Sequence, residues 1–277
     1  MGNLKVLELF GGIGACTQAF KRLGIPIEVV DYVEIDKYAV KSYNAINGTN
    51  FEPQDICKWN KKIDVDFIMH GSPCQDFSIA GKQTGGDEGS ETRSSLMYET
   101  LRIVNDLKPK YVLWENVKNL LSKKHKHNFD RYINIMNEGG YNSYYKVLNA
   151  KDYGIPQNRE RVYTLSIRKD IDTGYTFPEP EELKLKLKDL LEKEVDEKYF
   201  LSDKTMEYIL DSNDVALNSG RDINNRIVNP QIAKTISCRG TTNQRADVTN
   251  FVTNTDEEIS VKEAKSRIRN NTKKRIP

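Results

Sequence analysis

No apolar stretch in this 277-residue chain approaches membrane-spanning length, so a transmembrane helix is not expected. Histidine is scarce, at three residues, and His125 and His127 sit in a lysine-rich segment with no Cys or Asp cluster. That argues against a zinc site, and no metal is expected. The four cysteines, Cys16, Cys57, Cys74 and Cys238, form no C-x-x-C pair and no disulfide framework. A reduced, cytoplasmic setting is the default. Met1 to Phe10 runs straight into strand-like sequence without the basic and apolar regions of a secretory leader. Gly2 fails the myristoylation pattern because position 6 is Val. An imbalance of charge is missing too: 42 Lys and Arg face 40 Asp and Glu, a net charge of +2. That total does not by itself indicate a polyanionic partner.

The placement of charge says more than its sum. Lys118, Lys123, Lys124, Lys126 and Arg131 share one segment. From Lys262 onward, Lys265, Arg267, Arg269, Lys273, Lys274 and Arg275 face only Glu263. Such clusters suit phosphate contacts, and equally suit a solvated face or a frayed tail.

The first 167 residues alternate strand-like and helix-like segments. Strands are expected over 5–10, 27–33, 66–70, 111–114, 144–150 and 161–167, and helices over 15–23, 37–46 and 129–137. Leu96, Leu101, Val104 and Leu107 form the stripe of a further helix, which Pro109 ends. This rhythm predicts an α/β fold with a doubly wound, mostly parallel sheet. Residues 79–94, with Gly81, Gly85, Gly86 and Gly89, interrupt it as a long loop suited to a lid. Beyond Pro178 and Pro180 a charged helix is expected over 183–195 and another over 200–211. The expected division is a catalytic domain at 1–175 and a smaller region at 176–277.

Chemistry-bearing residues fall at strand ends, where open α/β sheets bind ligands. Phe10-Gly11-Gly12-Ile13-Gly14 follows the first strand, and adjacent glycines permit a tight turn. The dinucleotide fingerprint G-x-G-x-x-G fails, because Thr17 occupies the third glycine position. Glu34 follows the second strand, where an acid meets ribose hydroxyls, and Asp55-Ile56 lies where an acid could meet an adenine amine. Together these suggest an adenosine-containing cofactor, with NAD and S-adenosylmethionine both open.

Gly71-Ser72-Pro73-Cys74-Gln75-Asp76-Phe77-Ser78 follows the third strand. Pro73 fixes its own φ and restricts Ser72, so Cys74 sits in a stiff turn. Stiffness suits a nucleophile, while free cysteine is often core filler, and this segment leaves both readings open. Glu115-Asn116-Val117 ends the strand at 111–114 and faces the same edge, where a carboxyl could hold or deliver a proton. Arg159 and Arg161, two apart in an extended segment, point the same way and could bind a carbonyl oxygen or phosphate.

With these segments in order, residues 4 to 167 resemble the cytosine-5 DNA methyltransferases of bacterial and phage type. The matching elements are Phe10-Gly11-Gly12-Ile13-Gly14, Pro73-Cys74-Gln75-x-x-Ser78, Glu115-Asn116-Val117 and Gln157-x-Arg159-x-Arg161, extended by Asn149-Ala150-x-Asp152-Tyr153-Gly154-Ile155-Pro156. The resemblance implies the S-adenosylmethionine-dependent methyltransferase fold and transfer of a methyl group to C5 of a cytosine flipped out of duplex DNA. It implies Cys74 as nucleophile on C6, Glu115 at N3 and the exocyclic amine, Arg161 at O2 and Arg159 in support. It implies a cofactor site of Phe10, Gly11, Gly12, Ile13, Gly14, Glu34, Ile35, Asp55, Ile56, Pro73 and Leu96. DNA contacts are assigned to Gln75, Ser78, Arg93 and Thr235.

The pattern departs from the family near its end. Arg269-Asn270-Asn271-Thr272-Lys273-Lys274-Arg275 replaces R-x-x-T-x-x-E, and no Gly-Asn helix precedes Pro277. Ala233-Lys234-Thr235-Ile236 resembles the Thr-Ile element of the recognition region. An incomplete target-recognition region is therefore expected, from a truncated chain, a frameshifted gene or a split enzyme whose second chain supplies the missing motifs. The alternatives to a DNA methyltransferase of a restriction-modification or phage system are a subunit without activity alone and a tRNA cytosine-5 methyltransferase.

Overall fold

The computed structural model describes residues 2–73, 93–196, 227–228, 230–235 and 259–260. Cys74, Gln75, Ser78, most of the expected lid, the expected helix at 200–211 and the basic segment from Lys262 lie outside the described residues. In chain order come β1 (Leu4–Leu9), α1 (Ala15–Arg22), β2 (Ile27–Val33), α2 (Lys37–Asn47), β3 (Phe67–His70), α3 (Met97–Leu107) and β4 (Tyr111–Val117). Then follow α4 (Lys126–Glu138), β5 (Tyr141–Asn149), β6 (Gln157–Asn158), β7 (Glu160–Arg168), β8 (Ile227–Val228), β9 (Ala233–Lys234) and β10 (Ile259–Ser260). They divide into two compact units, residues 1–148 with 160–178, and residues 149–159 with 179–277.

The first unit is built on a six-stranded sheet in the order β2-β1-β3-β4-β7-β5. β1 pairs parallel with β2 and β3, β3 pairs parallel with β4, and β7 runs antiparallel to β4. The α/β architecture and mostly parallel sheet are those expected from the strand-helix alternation. Val6, Leu7, Ile68, Val112 and Trp114 are essentially inaccessible. Burial on both faces is the usual condition of parallel strands. Trp114 stacks among Tyr132, Phe129 and His70, with ring centroids 4.1, 6.0 and 5.6 Å away.

Local chemistry sets the element ends. Asp36 caps α2 by accepting the Tyr38 and Ala39 amides, and Gly48 (φ 68°) ends it in the left-handed conformation. β5 starts at Tyr141, three residues before the expected Tyr144 and directly after the left-handed turn at Gly140 (φ 95°); the buried Tyr141 hydroxyl donates to Pro109 O at 2.7 Å.

Asp31, inside β2 two residues before its end, is 4% exposed. Trp59 Nε1, Lys61 Nζ, Gln54 Nε2 and the Tyr32 amide all donate to it at 2.8–3.0 Å. Burial pushes the Asp31 carboxyl up, but these donors outweigh burial and hold it below the usual aspartate range. The stability it contributes is complete above the unfolded value, about pH 4, and is lost as pH falls through the lower folded value. Asp31→Asn should therefore flatten the acid limb of the unfolding curve below about pH 4. An unchanged limb, followed by circular dichroism, would count against this role.

In the second unit, β6 pairs parallel with β9, and β8 pairs antiparallel with β10. Leu187 N donates to Gln231 O at 2.8 Å, and Glu181 N to Asp152 O at 2.9 Å. The helix expected over 183–195 is not formed: only a single turn at Leu187–Leu190 is helical, and Leu185, Leu190 and Leu191 are exposed. Leu183, Leu185 and Leu187 alternate with Lys184, Lys186 and Lys188. That is the two-residue period of an extended chain, and it leaves no continuous apolar stripe for a helix to bury.

Candidate active site at the sheet edge

Register places the motif residues in one row. Val33 pairs with Leu9, Leu9 with His70, His70 with Trp114, and Trp114 with Thr164. The next residue on each parallel strand is therefore Glu34, Phe10, Gly71 and Glu115. Three strand spacings separate the two carboxylates, roughly 14 Å. Segments distant in sequence are thus brought side by side along the carboxyl edge, where parallel sheets place their ligands.

The turn after β1 has an unusual backbone. Phe10 (φ 54°), Gly12 (φ 54°) and Gly14 (φ 89°) are all left-handed. Phe10 is a bulky residue in that region, a conformation that must be held by its surroundings. Its amide donates to Val33 O at 2.8 Å, and its ring packs on the main core. Gly12 N donates to Glu34 Oε2 at 3.2 Å, and Asp36 N to Glu34 Oε1 at 2.9 Å. Each carboxylate oxygen retains a lone pair for a further donor. A Cβ on Gly12 would meet nothing within 4 Å, so the backbone is open to a close approach there. Ile13 and Ile35 are 60% and 70% exposed beside this turn, apolar side chains offered to solvent. An open glycine backbone, an available carboxylate and exposed apolar side chains suit a ligand with hydroxyl groups and a flat ring.

The chain leading to Cys74 is fixed from below. Ser72 is 3% exposed. Trp114 Nε1 donates to Ser72 Oγ at 3.0 Å, and Asn116 Nδ2 donates to Ser72 O at 3.2 Å. Both donors come from β4, the strand that carries Glu115. A Cβ added to Gly71 would lie 3.8 Å from Glu115 Oε2, which places that carboxylate over the start of the cysteine turn. Arg161 Nε meets Glu115 Oε1 at 3.0 Å, and both side chains are largely shielded. This ion pair holds Glu115 in one orientation with an oxygen toward Gly71.

A family model described as C-5 cytosine-specific DNA methylase matches residues 4–276. The chain belongs to the C-5 cytosine-specific DNA methylase family. Type II methyltransferase M2.ScrFI of Lactococcus lactis subsp. cremoris is 34% identical over 274 aligned residues, covering 76% of each chain. Type II methyltransferase M.HhaI of Haemophilus parahaemolyticus is 42% identical over 192 residues, covering 68% of this chain and 57% of that one. Orphan methyltransferase M.SPRI of Bacillus phage SPR is 36% identical, covering 79% of this chain and 57% of that one. The chain thus spans little more than half the length of the last two relatives. The solved structure of a Spodoptera frugiperda DNMT2 mutant has the same fold, with a TM-score of 0.62 at 24% identity, covering 76% of this chain and 65% of that one.

The remaining motif positions of this family member are placed as follows. Asp55 accepts the Cys57 amide at 3.0 Å and so caps the short turn Ile56–Lys58. It also lines a shallow cavity of about 230 Å³ with Gln54, Lys58, Trp59, Asn60 and Lys61. Ile56, 5% exposed, is part of the main core, and Leu96 packs against that core. Pro73 is half-buried. Arg93 opens a helical turn at Arg93–Leu96. Arg159 belongs to the second unit, where its amide donates to Asn149 Oδ1 at 2.9 Å. Thr235, in the same unit, donates through Oγ1 to Asn158 O at 2.8 Å.

Tyr32, Ser72, Trp114 and Asn116 were legible in the sequence only as strand or motif filler. The available signal was polar: an aromatic N–H or O–H buried inside a strand needs a partner, and here those partners are the motif turns.

Proposed function

We propose that this protein transfers a methyl group from S-adenosylmethionine to C5 of a cytosine flipped out of duplex DNA, in the setting of a restriction-modification or phage system. The observation that carries this reading is the edge row in which the Glu115–Arg161 pair stands over the turn leading to Cys74, three strands from Glu34. S-Adenosylmethionine supplies the methyl group. The chain's own residues divide the remaining work. Phe10 to Gly14 receive the cofactor's methionine and adenosine end. Glu34 accepts from the ribose, Ile35 covers the ring, and Asp55 accepts from the adenine amine. Ile56, Pro73 and Leu96 shape the walls around them.

Cytosine C5 is a poor nucleophile while the ring is aromatic. The Cys74 thiolate adds to C6, forming an S–C6 bond and giving C5 enamine character. Glu115, after taking a proton from solvent, donates it at N3 and accepts from the exocyclic amine, while Arg161 binds O2 with Arg159 in support. C5 takes the methyl group and then loses its proton to water. The C6–S bond breaks, the C5–C6 double bond returns, the N3 proton goes back to Glu115 and Cys74 is released as the thiolate. Gln75, Ser78, Arg93 and Thr235 contact the DNA, whose duplex must be opened for the base to reach the site.

Denaturing electrophoresis with 5-fluorocytosine DNA and S-adenosylmethionine tests this reading, because fluorine blocks proton loss and traps the S–C6 bond. The wild-type protein should form an adduct that survives heating, and Cys74→Ser should form none. An adduct retained by Cys74→Ser would overturn the assignment of the nucleophile. Methyl transfer to tRNA but not to duplex DNA would overturn the substrate.

A further inference from the structure

Beneath the glycine turn lies a stacked pair of tyrosines that the proposed reaction does not use. Tyr32, from β2, and Tyr43, from α2, are both fully buried, with ring centroids 4.0 Å apart and planes 27° from parallel. Each ring fits under one glycine. A Cβ on Gly11 would come within 2.5 Å of Tyr32 Cε2, and one on Gly14 within 2.8 Å of the Tyr43 ring. The Tyr32 hydroxyl donates to Gly12 O at 2.5 Å, a bond that spans twenty residues of sequence. Burial, with Glu34 and Glu8 nearby, pushes the Tyr32 phenol well above its ordinary range, so it remains a donor at any working pH.

Tyr43 is anchored in turn. Its hydroxyl lies 3.1 Å from Thr17 Oγ1, and Thr17 bonds to the buried Glu8 carboxyl through both its amide and its hydroxyl. α1 has no side-chain cap of its own at Gly14, so Glu8 receives the Thr17 amide in its first turn. The floor of the turn is therefore tied to β1, β2, α1 and α2 at once.

We infer that Tyr32 is a positioning residue that holds the Gly11–Gly14 turn in its ligand-receiving shape before any cofactor arrives. The inference rests on the reading that this turn receives S-adenosylmethionine. Gly12 is the residue with both an open Cβ side and a left-handed φ, so without a fixed point it has more conformations than any neighbour. The Tyr32 hydroxyl fixes its carbonyl, while Glu34 fixes its amide. A turn held at both ends of one residue loses little further freedom on binding, and that is how preorganisation raises affinity. The ring of Tyr32 supplies shape and its hydroxyl supplies the latch, so the two contributions can be separated by one atom.

Tyr32→Phe removes only the hydroxyl. Titration calorimetry with S-adenosylhomocysteine should show the dissociation constant rising about fivefold, the effect of losing one ordinary buried hydrogen bond. The KM for S-adenosylmethionine should rise in step, with kcat at saturating cofactor unchanged. Tyr141→Phe is the control, because it removes a buried tyrosine-to-carbonyl bond of similar length, to Pro109 O, in the same unit. It should lower the melting temperature to a similar degree while leaving the dissociation constant unchanged. Equal dissociation constants for wild type and Tyr32→Phe would overturn the inference. So would an equal rise in Tyr141→Phe, which would make the effect one of general stability. Failure of the wild-type protein to bind S-adenosylhomocysteine would instead overturn the cofactor assignment beneath it.

Discussion

Glu115→Gln should lower kcat for DNA methylation by roughly 10² to 10⁴-fold, the range for removing a positioned general acid. The melting temperature should hardly move, because the amide keeps the size of the carboxyl and an oxygen facing Arg161. The argument begins with register: β4 delivers Glu115 to the residue past the Trp114–His70 pair, beside Gly71. Arg161 Nε, 3.0 Å away, then fixes which oxygen faces the turn. Arg161→Ala removes that restraint and should cost less than loss of the acid itself, about ten- to a hundredfold. Single-turnover methylation of a duplex oligonucleotide separates these effects from product release. Retention by Glu115→Gln of more than a tenth of the wild-type rate would sink the assignment of Glu115 as the proton donor.

Alanine at Gly14 should be strongly destabilising. Its Cβ would lie 2.8 Å from two carbons of the Tyr43 ring, at a φ of +89°. The left-handed conformation costs about 1 kcal/mol for a residue with a Cβ, and overpacking adds about 1–3 kcal/mol. For a unit of this size the sum corresponds to a drop in melting temperature of roughly 5–15 °C. Gly11→Ala meets a ring that cannot retreat, since Tyr32 is stacked on Tyr43 and bonded to Gly12. It should lower stability comparably. Gly12→Ala adds a methyl to open space and carries only the backbone cost, so it should reduce stability by about 1 kcal/mol. It should nevertheless weaken S-adenosylhomocysteine binding at least as much as Gly11→Ala, because its methyl projects where the ligand approaches. A Gly14→Ala protein as stable as wild type, measured by thermal melting, would refute the packing argument.

Motif spacing makes much of the candidate site legible in the sequence. Glycines at 11, 12 and 14 had to form a turn, and Glu34, Cys74 and Glu115 each followed an apolar run short enough to be a strand. The alternation of those runs with helical stripes also implied the parallel sheet, because parallel strands need crossover connections. Reading failed where periodicity was ambiguous. Leu183 to Leu187 has leucines that suit a helix by composition, yet their two-residue spacing with lysine makes no helical stripe, and the segment forms only the single turn Leu187–Leu190. β5 begins three residues before its expected start, directly after Gly140, and its buried Tyr141 is anchored by a bond to Pro109 O, thirty-two residues away.

The sequence by itself determined which candidate residues follow the apolar runs and the order in which they come along the chain, because residue type and hydrophobic period are local properties. It also determined family membership, through motifs that match along the chain. Only the tertiary structure decided what holds those residues in place. The pairing of Val33, Leu9, His70 and Trp114 in one row, the seat of Ser72 under Trp114 and Asn116, and the tyrosine floor beneath the glycine turn all join segments twenty or more residues apart. Such contacts depend on strand register and on which faces are buried together, and both are settled only when the whole sheet closes on its core.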